Sequence, residues 1–234
     1  RDAIFYMVAV LALFGVIALG VLGTDGREIA RITPQMGVGL VVLYGVYVIL
    51  LAGGKSGASD LKRAESTNIP KQAGLFAVGL VVVLVGVESM VTMTVQIADA
   101  LDAPSFLISV TVLSALSSFP DLLVGVKMGK AGDKRAAVAN VFGTNTFNLV
   151  AALPVGVILA GGVSIGFLTS VPLMLFLFYT TLVVVVMAAT DFEITTEEGY
   201  VFLAMYVAFL GWMTAEAFGI TTFLTESTLR TIVG

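Results

Sequence analysis

The chain of 234 residues contains no cysteine and no histidine. Disulfide bonds, thiolate metal sites, zinc sites built on histidine and histidine proton relays are therefore excluded for this sequence. Neither a nucleophile–base pair that uses these residues nor a glycine-rich phosphate-binding loop at the start of a helix is present. We therefore expect that the protein is not an enzyme and that it binds no organic cofactor.

Charge is also scarce, at 12% of residues, whereas soluble domains carry about 25% charged residues. Hydrophobic residues make up 58% of the chain, and the mean hydropathy is +1.04. The 12 basic residues are outnumbered by 16 acidic ones, so the chain offers no basic surface for nucleic acid. This composition predicts a polytopic membrane protein whose main partner is the lipid bilayer.

Seven stretches are long and apolar enough to form membrane-spanning helices, which need about 20 residues each. They predict an all-α fold with spans at 3–23, 35–53, 73–99, 104–128, 136–161, 165–188 and 197–217. The polar connection 54–72 is predicted to be a solvated loop that separates two halves, 1–53 and 73–217, and 218–234 is predicted to be a tail.

The distribution of basic residues predicts the orientation, because cytoplasmic segments carry an excess of Lys and Arg. Nine of the 12 basic residues lie on the side shared by the N-terminus, the loop 54–72 and the segment 127–135. We therefore expect an integral cell-membrane protein with a cytoplasmic N-terminus and loop, and with its C-terminus outside. Because the chain starts with Arg1 and not with Met, we also expect that it begins inside a longer gene product.

The span 104–128 contains three serines and an aspartate at helical spacing. Ser114, Ser117, Ser118 and Asp121 follow the pattern i, i+3, i+4, i+7, so their side chains share one helix face. Pro120 lacks an N–H group and is expected to kink the helix and free nearby carbonyl groups. An ionised Asp within the bilayer costs about 3 kcal/mol, so Asp121 requires a compensating cation or a cavity.

The next span contains a second polar stripe, because Asn140, Thr144 and Asn148 repeat every four residues. Gly143 permits another backbone to approach closely. If the two stripes face each other, their oxygens form a pocket suited to hard cations such as Na⁺ and Ca²⁺. The predicted metal ligands are Asp121, Ser117, Ser118, Thr144, Asn148 and Ser114.

Other interpretations of these polar residues remain open. Ser and Thr hydroxyls in membrane helices commonly bond to their own i−4 carbonyl or to a neighbouring helix. Glu88 and Asn140 are predicted to line the ion pathway, although a structural role for Glu88 is an equal alternative. Asp133, Lys134 and Arg135 are predicted to form a solvated loop.

Residues 73–162 resemble the second α-repeat of the cation/calcium antiporter superfamily, the sodium/calcium exchangers. The resemblance rests on the segments VGVESMV, SALSSFPD and NVFGTNTFN, in this order and spacing. The corresponding family pattern is approximately G-A-D-x-L-V, G-T-S-x-P-E and G-N-x-x-G-S-N-x-F-N. The start of the chain, RDAIFYM followed by TDGREIARI, resembles the fourth helix of the family and its link to the fifth.

The resemblance implies that the seven spans correspond to helices four to ten of a ten-helix inverted-repeat fold. It places Asp121 where the family has a cation-binding Glu, and Ser117 and Ser118 at its Thr-Ser pair. Thr144 and Asn148 take the positions of the Ser and of the final Asn or Asp of the second motif, and Ser114 stands where the family offers a backbone carbonyl. The sequence departs from the pattern at Leu116 and Ala139, which replace glycines, and the first α-repeat is not in this chain.

The resemblance implies a secondary antiporter that exchanges Na⁺ (or H⁺) for Ca²⁺, the transported ions, at a midplane site of oxygen ligands. One alternative is a truncated or split half-transporter, which needs a second half or subunit to supply another carboxylate. The other is a seven-helix receptor or photoprotein, which the absence of a retinal-binding lysine from 197–217 disfavours.

Overall fold

The computed structural model describes residues 2–24, 29–52, 69–191 and 195–222. The chain divides into two compact units, one made of Arg1–Tyr47 with Phe119–Gly234 and the other of Val48–Ser118. Most of the predicted linker 54–72 lies outside the described residues, as does the predicted tail beyond residue 222. The division into an N-terminal and a C-terminal half therefore stays a prediction.

Helices dominate the described chain because a backbone within hydrocarbon must satisfy its own N–H and C=O groups. The α-helices are α1 (Asp2–Leu22), α2 (Pro34–Ala52), α3 (Ile69–Ala100), α4 (Ser105–Ile108), α5 (Ser114–Lys130), α6 (Lys134–Phe147), α7 (Leu153–Leu159), α8 (Phe167–Asp191) and α9 (Thr196–Ala217). Two π-helical turns, π1 (Ser109–Leu113) and π2 (Asn148–Ala152), join α4 to α5 and α6 to α7.

Six helical segments among the described residues are long and apolar enough to cross a membrane. They are Asp2–Leu22, Pro34–Leu51, Ser105–Lys130, Lys134–Leu159, Ser170–Met187 and Thr196–Glu216. They coincide with six of the seven predicted spans and confirm an all-α polytopic membrane protein. The remaining predicted span, 73–99, lies within α3, a helix of 32 residues, and its crossing of the membrane stays a prediction.

Helix α1 is the centre of the first unit, because it contributes to both of that unit's apolar clusters. Near its start, Tyr6 and Val10 pack with Val138 and Phe142 of α6. Further along, Ile17 belongs to the cluster that contains Val150 of π2, together with residues from both strands of this unit and from α2, α7 and α8. Burial on several sides matches a helix that is apolar over almost its whole length.

Two short strands, which the all-α prediction did not include, pair in an antiparallel sheet in the first unit. Strand β1 (Ile29–Ile32) precedes α2, and β2 (Val163–Gly166) precedes α8; Ala30 lies opposite Ile165. Each strand has only four residues, too few to show a clear alternation beside long apolar runs. The strands join two inter-helix connections that are distant in sequence.

In the second unit, the end of α3 packs against α4 and π1. Ala98, Leu107 and Ile108 are buried there, and the Thr94 hydroxyl donates to the Met90 carbonyl at 2.7 Å. The connection between α3 and α4 turns at Asp102, whose φ of 51° lies in the left-handed region. An Asp tolerates this conformation better than most residues do.

Gly20 lies where α1 meets strand β1, and this close approach provides a test of the packing. A Cβ atom at residue 20 would lie 2.8 Å from the backbone oxygen of Arg31, which cannot rotate away. We predict that Gly20→Ala lowers the free energy of unfolding by about 1–3 kcal/mol, measured by thermal unfolding in detergent.

The matched control is Gly15→Ala, on the same helix, where nothing lies within 4 Å of the added Cβ. This variant should be neutral or slightly stabilising, because Ala favours a helix more than Gly does. Equal stability of the two variants would contradict the close packing of α1 on β1.

Candidate ion site

Helix α5 carries the serines and the aspartate of the first motif on one continuous α-helix. The helix runs from Ser114 to Lys130 and contains Pro120 in its interior. Because proline has no N–H group, the Leu116 carbonyl four residues earlier lacks its usual intrahelical donor. The structure thus retains the predicted helical stripe and leaves a backbone oxygen beside it available for another partner.

The hydroxyl groups of two motif serines bond to their own helix, as one of the open interpretations anticipated. The Ser114 hydroxyl donates to the Val110 carbonyl, and the Ser117 hydroxyl donates to the Ser114 carbonyl at 3.0 Å. A hydroxyl that donates its proton still has lone pairs on its oxygen. These bonds therefore orient the hydroxyl oxygens and remain compatible with cation binding.

Asp121 lies on the less exposed side of α5, whereas Ser114, Ser117 and Ser118 of the same stripe are exposed. Between residues 119 and 130, only Asp121, Gly125 and Met128 are half-buried, whereas the other residues are exposed. These three positions are spaced i, i+4, i+7 and so lie on one face. The carboxylate is therefore not on the most exposed side of its helix, where lipid would surround it.

Helix α6 and the following turn π2 carry the second motif. Asn140 and Thr144 are half-buried, and Asn148, at the start of π2, is exposed. The Asn145 side chain donates from Nδ2 to the Val141 carbonyl at 2.9 Å. Consecutive members of the predicted stripe are four residues apart, so the three oxygen-bearing side chains follow one face of a continuous helical segment.

The opposite face of α6 is buried and apolar. Val138, Phe142 and Thr146 are the buried residues of this helix, and the ring of Phe142 lies 5.7 Å from that of Tyr6 in α1. Each residue of this buried stripe lies two positions from a residue of the polar stripe Asn140, Thr144 and Asn148. Because a helix turns by about 100° per residue, the two stripes lie on roughly opposite faces. Packing on α1 therefore turns the second polar stripe away from that helix.

Both motifs adjoin a π-helical turn, a feature that the sequence did not reveal. Turn π1 ends immediately before Ser114, and π2 begins at Asn148 itself. A π-turn shifts the i→i−4 hydrogen-bonding pattern and is frequent at functional sites. Pro120 and Pro154 indicate local disruption of helices, but proline alone does not predict a five-residue π-turn.

The structure places the two motifs on separate helices and does not by itself join them into one site. Within the described part of the chain, the Asp121 carboxylate has no hydrogen bond to Thr144 or Asn148, and no group of three acidic residues could hold a metal ion. Glu88 is exposed on α3, where its carbonyl accepts the Thr92 hydroxyl at 3.0 Å. The complete ligand set and a pathway role for Glu88 therefore stay predictions.

The fold and the two motifs define an integral, multi-pass, all-α membrane protein with polar residues in two helical segments that are consecutive in the chain. The model of the sodium/calcium exchanger protein family matches residues 71–215 of the chain. The chain therefore belongs to this family, which lies within the cation/calcium antiporter superfamily. The matched region contains both motifs and extends beyond the resembling segment 73–162.

The chain is also similar to individual proteins. An uncharacterized membrane protein of Methanocaldococcus jannaschii is 30% identical over 202 residues, which are 83% of this chain and 61% of that protein. The sodium/calcium exchanger MaX1 of Methanosarcina acetivorans is 29% identical over 135 residues, 55% of this chain and 36% of the relative.

The inner membrane protein YrbG of Escherichia coli is 23% identical over 131 residues, 53% of this chain and 40% of the relative. The chain thus spans less than two thirds of the length of each of these relatives. No solved structure matches the chain significantly.

Thr146, on the buried face of α6, has a hydroxyl group with no hydrogen-bond partner among the described residues. A buried polar group without a partner costs about 1–3 kcal/mol. We therefore predict that Thr146→Val raises the free energy of unfolding by about 1 kcal/mol, measured by thermal unfolding in detergent.

Thr181→Val is the matched comparison, because the Thr181 hydroxyl donates to the Tyr6 hydroxyl at 3.3 Å and is equally buried. This second variant should lower the stability by removing a buried hydrogen bond. Destabilisation by Thr146→Val of the same size would show that the Thr146 hydroxyl does have a bonding partner.

Proposed function

We propose that this protein is a secondary active antiporter that exchanges Na⁺ (or H⁺) for Ca²⁺ across the membrane. The observation that carries the proposal is the position of Asp121, a half-buried carboxylate within a helical segment that is apolar enough to cross a membrane. A negative charge at that depth requires compensation, and no lysine or arginine follows it until Lys127. Membership of the sodium/calcium exchanger family supports an inorganic cation as the compensating group.

The proposed ligands combine one carboxylate with neutral oxygens. Asp121 supplies the charge, Ser117 and Ser118 supply hydroxyl oxygens from α5, and Thr144 and Asn148 supply a hydroxyl and an amide oxygen. The Ser114 carbonyl has a second lone pair beyond the one that accepts the Ser117 hydroxyl. Hard cations prefer oxygen ligands of this kind.

Charge balance requires a further acidic group for Ca²⁺. A single carboxylate neutralises Na⁺ but leaves one positive charge on Ca²⁺ uncompensated in a medium of low dielectric constant. The second candidate function is accordingly a half-transporter, in which another half or subunit completes the site with its own carboxylate. It is favoured by the presence of a single carboxylate, Asp121, among the proposed ligands.

Exchange follows from competition between the two ions for the same oxygens. Na⁺ and Ca²⁺ both prefer oxygen ligands, so an ion that occupies these oxygens excludes the other. Inverted repeats with interrupted helices and a midplane site are typical of alternating-access transporters. In this scheme the N-terminus of the chain and the loop 54–72 face the cytoplasm, and the C-terminus lies outside. Glu88 and Asn140 line the pathway that leads to the site.

Replacement of Asp121 by Asn tests the proposal most directly. We predict that Asp121→Asn in the full-length gene product abolishes Na⁺-dependent ⁴⁵Ca²⁺ uptake into proteoliposomes, because the amide removes the charge that binds the ion. Asp133→Asn is the matched control: the Asp133 side chain caps α6 by accepting the Ala136 N–H at 3.0 Å, and Asn caps helices equally well. Undiminished uptake by the Asp121 variant would remove this residue from the site.

Asn148 provides a second test, of the ion preference. Asn148→Asp adds the carboxylate that Ca²⁺ requires, so the variant should bind Ca²⁺ more tightly. Competition of Na⁺ with ⁴⁵Ca²⁺ in proteoliposomes measures this effect. No response to the substitution at residue 148 would count against Asn148 as a ligand.

A further inference from the structure

The turn between α5 and α6 concentrates positive charge in an otherwise acidic chain. Lys127, Lys130, Lys134 and Arg135, which we call the basic turn, are four of the 12 basic residues and lie within nine positions. All four side chains are exposed. Asp133 is the acidic residue of this segment, and its carboxylate is already engaged in capping α6. The segment therefore presents a net positive surface.

The backbone of this segment is tightly ordered by hydrogen bonds. The Gly132 N–H donates to the Gly129 carbonyl and the Asp133 N–H donates to the Met128 carbonyl, both at 3.1 Å. Gly132 adopts a φ of 85°, as the Schellman ending of a helix requires. The sequence predicts a solvated loop at residues 133–135, but Lys134 and Arg135 are the first residues of α6. The cations are thus held on two helix ends that three residues connect.

Helix stability does not explain this distribution of charge. Lys127 and Lys130 occupy the last turn of α5, where cations are favourable, but Lys134 and Arg135 occupy the first turn of α6. The helix dipole disfavours positive charge at a helix start. Both segments that meet at the turn, Ser105–Lys130 and Lys134–Leu159, are long and apolar enough to span a membrane. The basic turn therefore lies at the edge of the bilayer.

We propose that the basic turn binds the negatively charged headgroups of anionic phospholipids, with phosphatidylglycerol as the probe. The positive charge of the basic turn favours an anionic lipid as its ligand, because clusters of Lys and Arg immediately beside membrane helices attract anionic lipid headgroups. A headgroup phosphate bound there contacts the ends of the two helices that carry the Asp121 and the Thr144 motifs. The proposal concerns lipid binding alone and holds whether or not the protein exchanges Ca²⁺.

Native mass spectrometry of the delipidated full-length protein tests the proposal. Phosphatidylglycerol and phosphatidylcholine with identical acyl chains are titrated separately, and the apparent dissociation constant for the first bound lipid is compared. We expect the unmodified protein to bind phosphatidylglycerol at least about tenfold more tightly, since each nearby basic residue contributes roughly a factor of five. Lys127→Gln, Lys130→Gln and Arg135→Gln combined should abolish this preference.

The charge-matched control combines Lys55→Gln, Lys62→Gln and Arg63→Gln, which remove three charges from the predicted loop 54–72 and should preserve the preference. Equal loss in both variants would show a general charge effect and overturn the proposal. If the unmodified protein binds phosphatidylglycerol and phosphatidylcholine equally well, the cations serve only to orient the chain in the membrane, and the proposal is wrong. Displacement of phosphatidylglycerol by millimolar inorganic phosphate would assign the turn to soluble anions instead.

A measurement on the unmodified protein keeps the test decisive if the triple variant fails to fold. Raising the ionic strength to about 1 M shortens the screening length to roughly 3 Å, so the preference for phosphatidylglycerol should disappear. A preference that survives at this ionic strength would arise from the acyl chains or from apolar contacts, and would overturn the assignment to the basic turn.

Discussion

The need to satisfy backbone hydrogen-bonding groups away from water determines most of this structure. In hydrocarbon an unpaired N–H or C=O group costs several kcal/mol, so spanning segments form helices. The exceptions lie beside the two polar motifs: Pro120 deprives the Leu116 carbonyl of its donor, and π1 and π2 interrupt the regular pattern next to Ser114 and at Asn148. Irregular backbone at membrane depth is tolerated where protein or a polar cavity surrounds it.

The packing of α6 on α1 determines which way the polar residues of the second motif face. Helix α6 has an apolar stripe that includes Phe142 and a polar stripe that includes Thr144, on opposite faces. Because the apolar stripe is buried against Tyr6 and Val10, the polar stripe must face another surface. The contact that buries the apolar stripe in the first unit therefore places oxygen atoms on the opposite side of α6. In α5, by contrast, no residue is buried, and only the face of Asp121 is partly covered.

The scarcity of charge makes each charged residue informative. Asp121 lies within a segment that is apolar enough to span a membrane, whereas the four cations of the basic turn lie where two such segments meet. We propose that a cation compensates the carboxylate at the first position and that anionic lipid headgroups bind at the second. In the proposed antiporter the two electrostatic sites share α5, one in its interior and one at its end.

The sequence by itself determined the all-α membrane class, six of the helices that are long and apolar enough to span a membrane, the helical stripe from Ser114 to Asp121 and the family, because hydropathy, helical periodicity and motifs are local properties. Only the tertiary structure decided that Asp121 lies on the partly covered face of α5, that Asn140 and Thr144 face away from α1, and that β1 pairs with β2. The last two facts depend on contacts between segments distant in the chain: Ile29 and Gly166, for example, are paired across more than 130 residues. The π-turns and the helical start at Lys134 escaped prediction because their hydrogen bonds depend on small backbone adjustments that side-chain patterns do not encode.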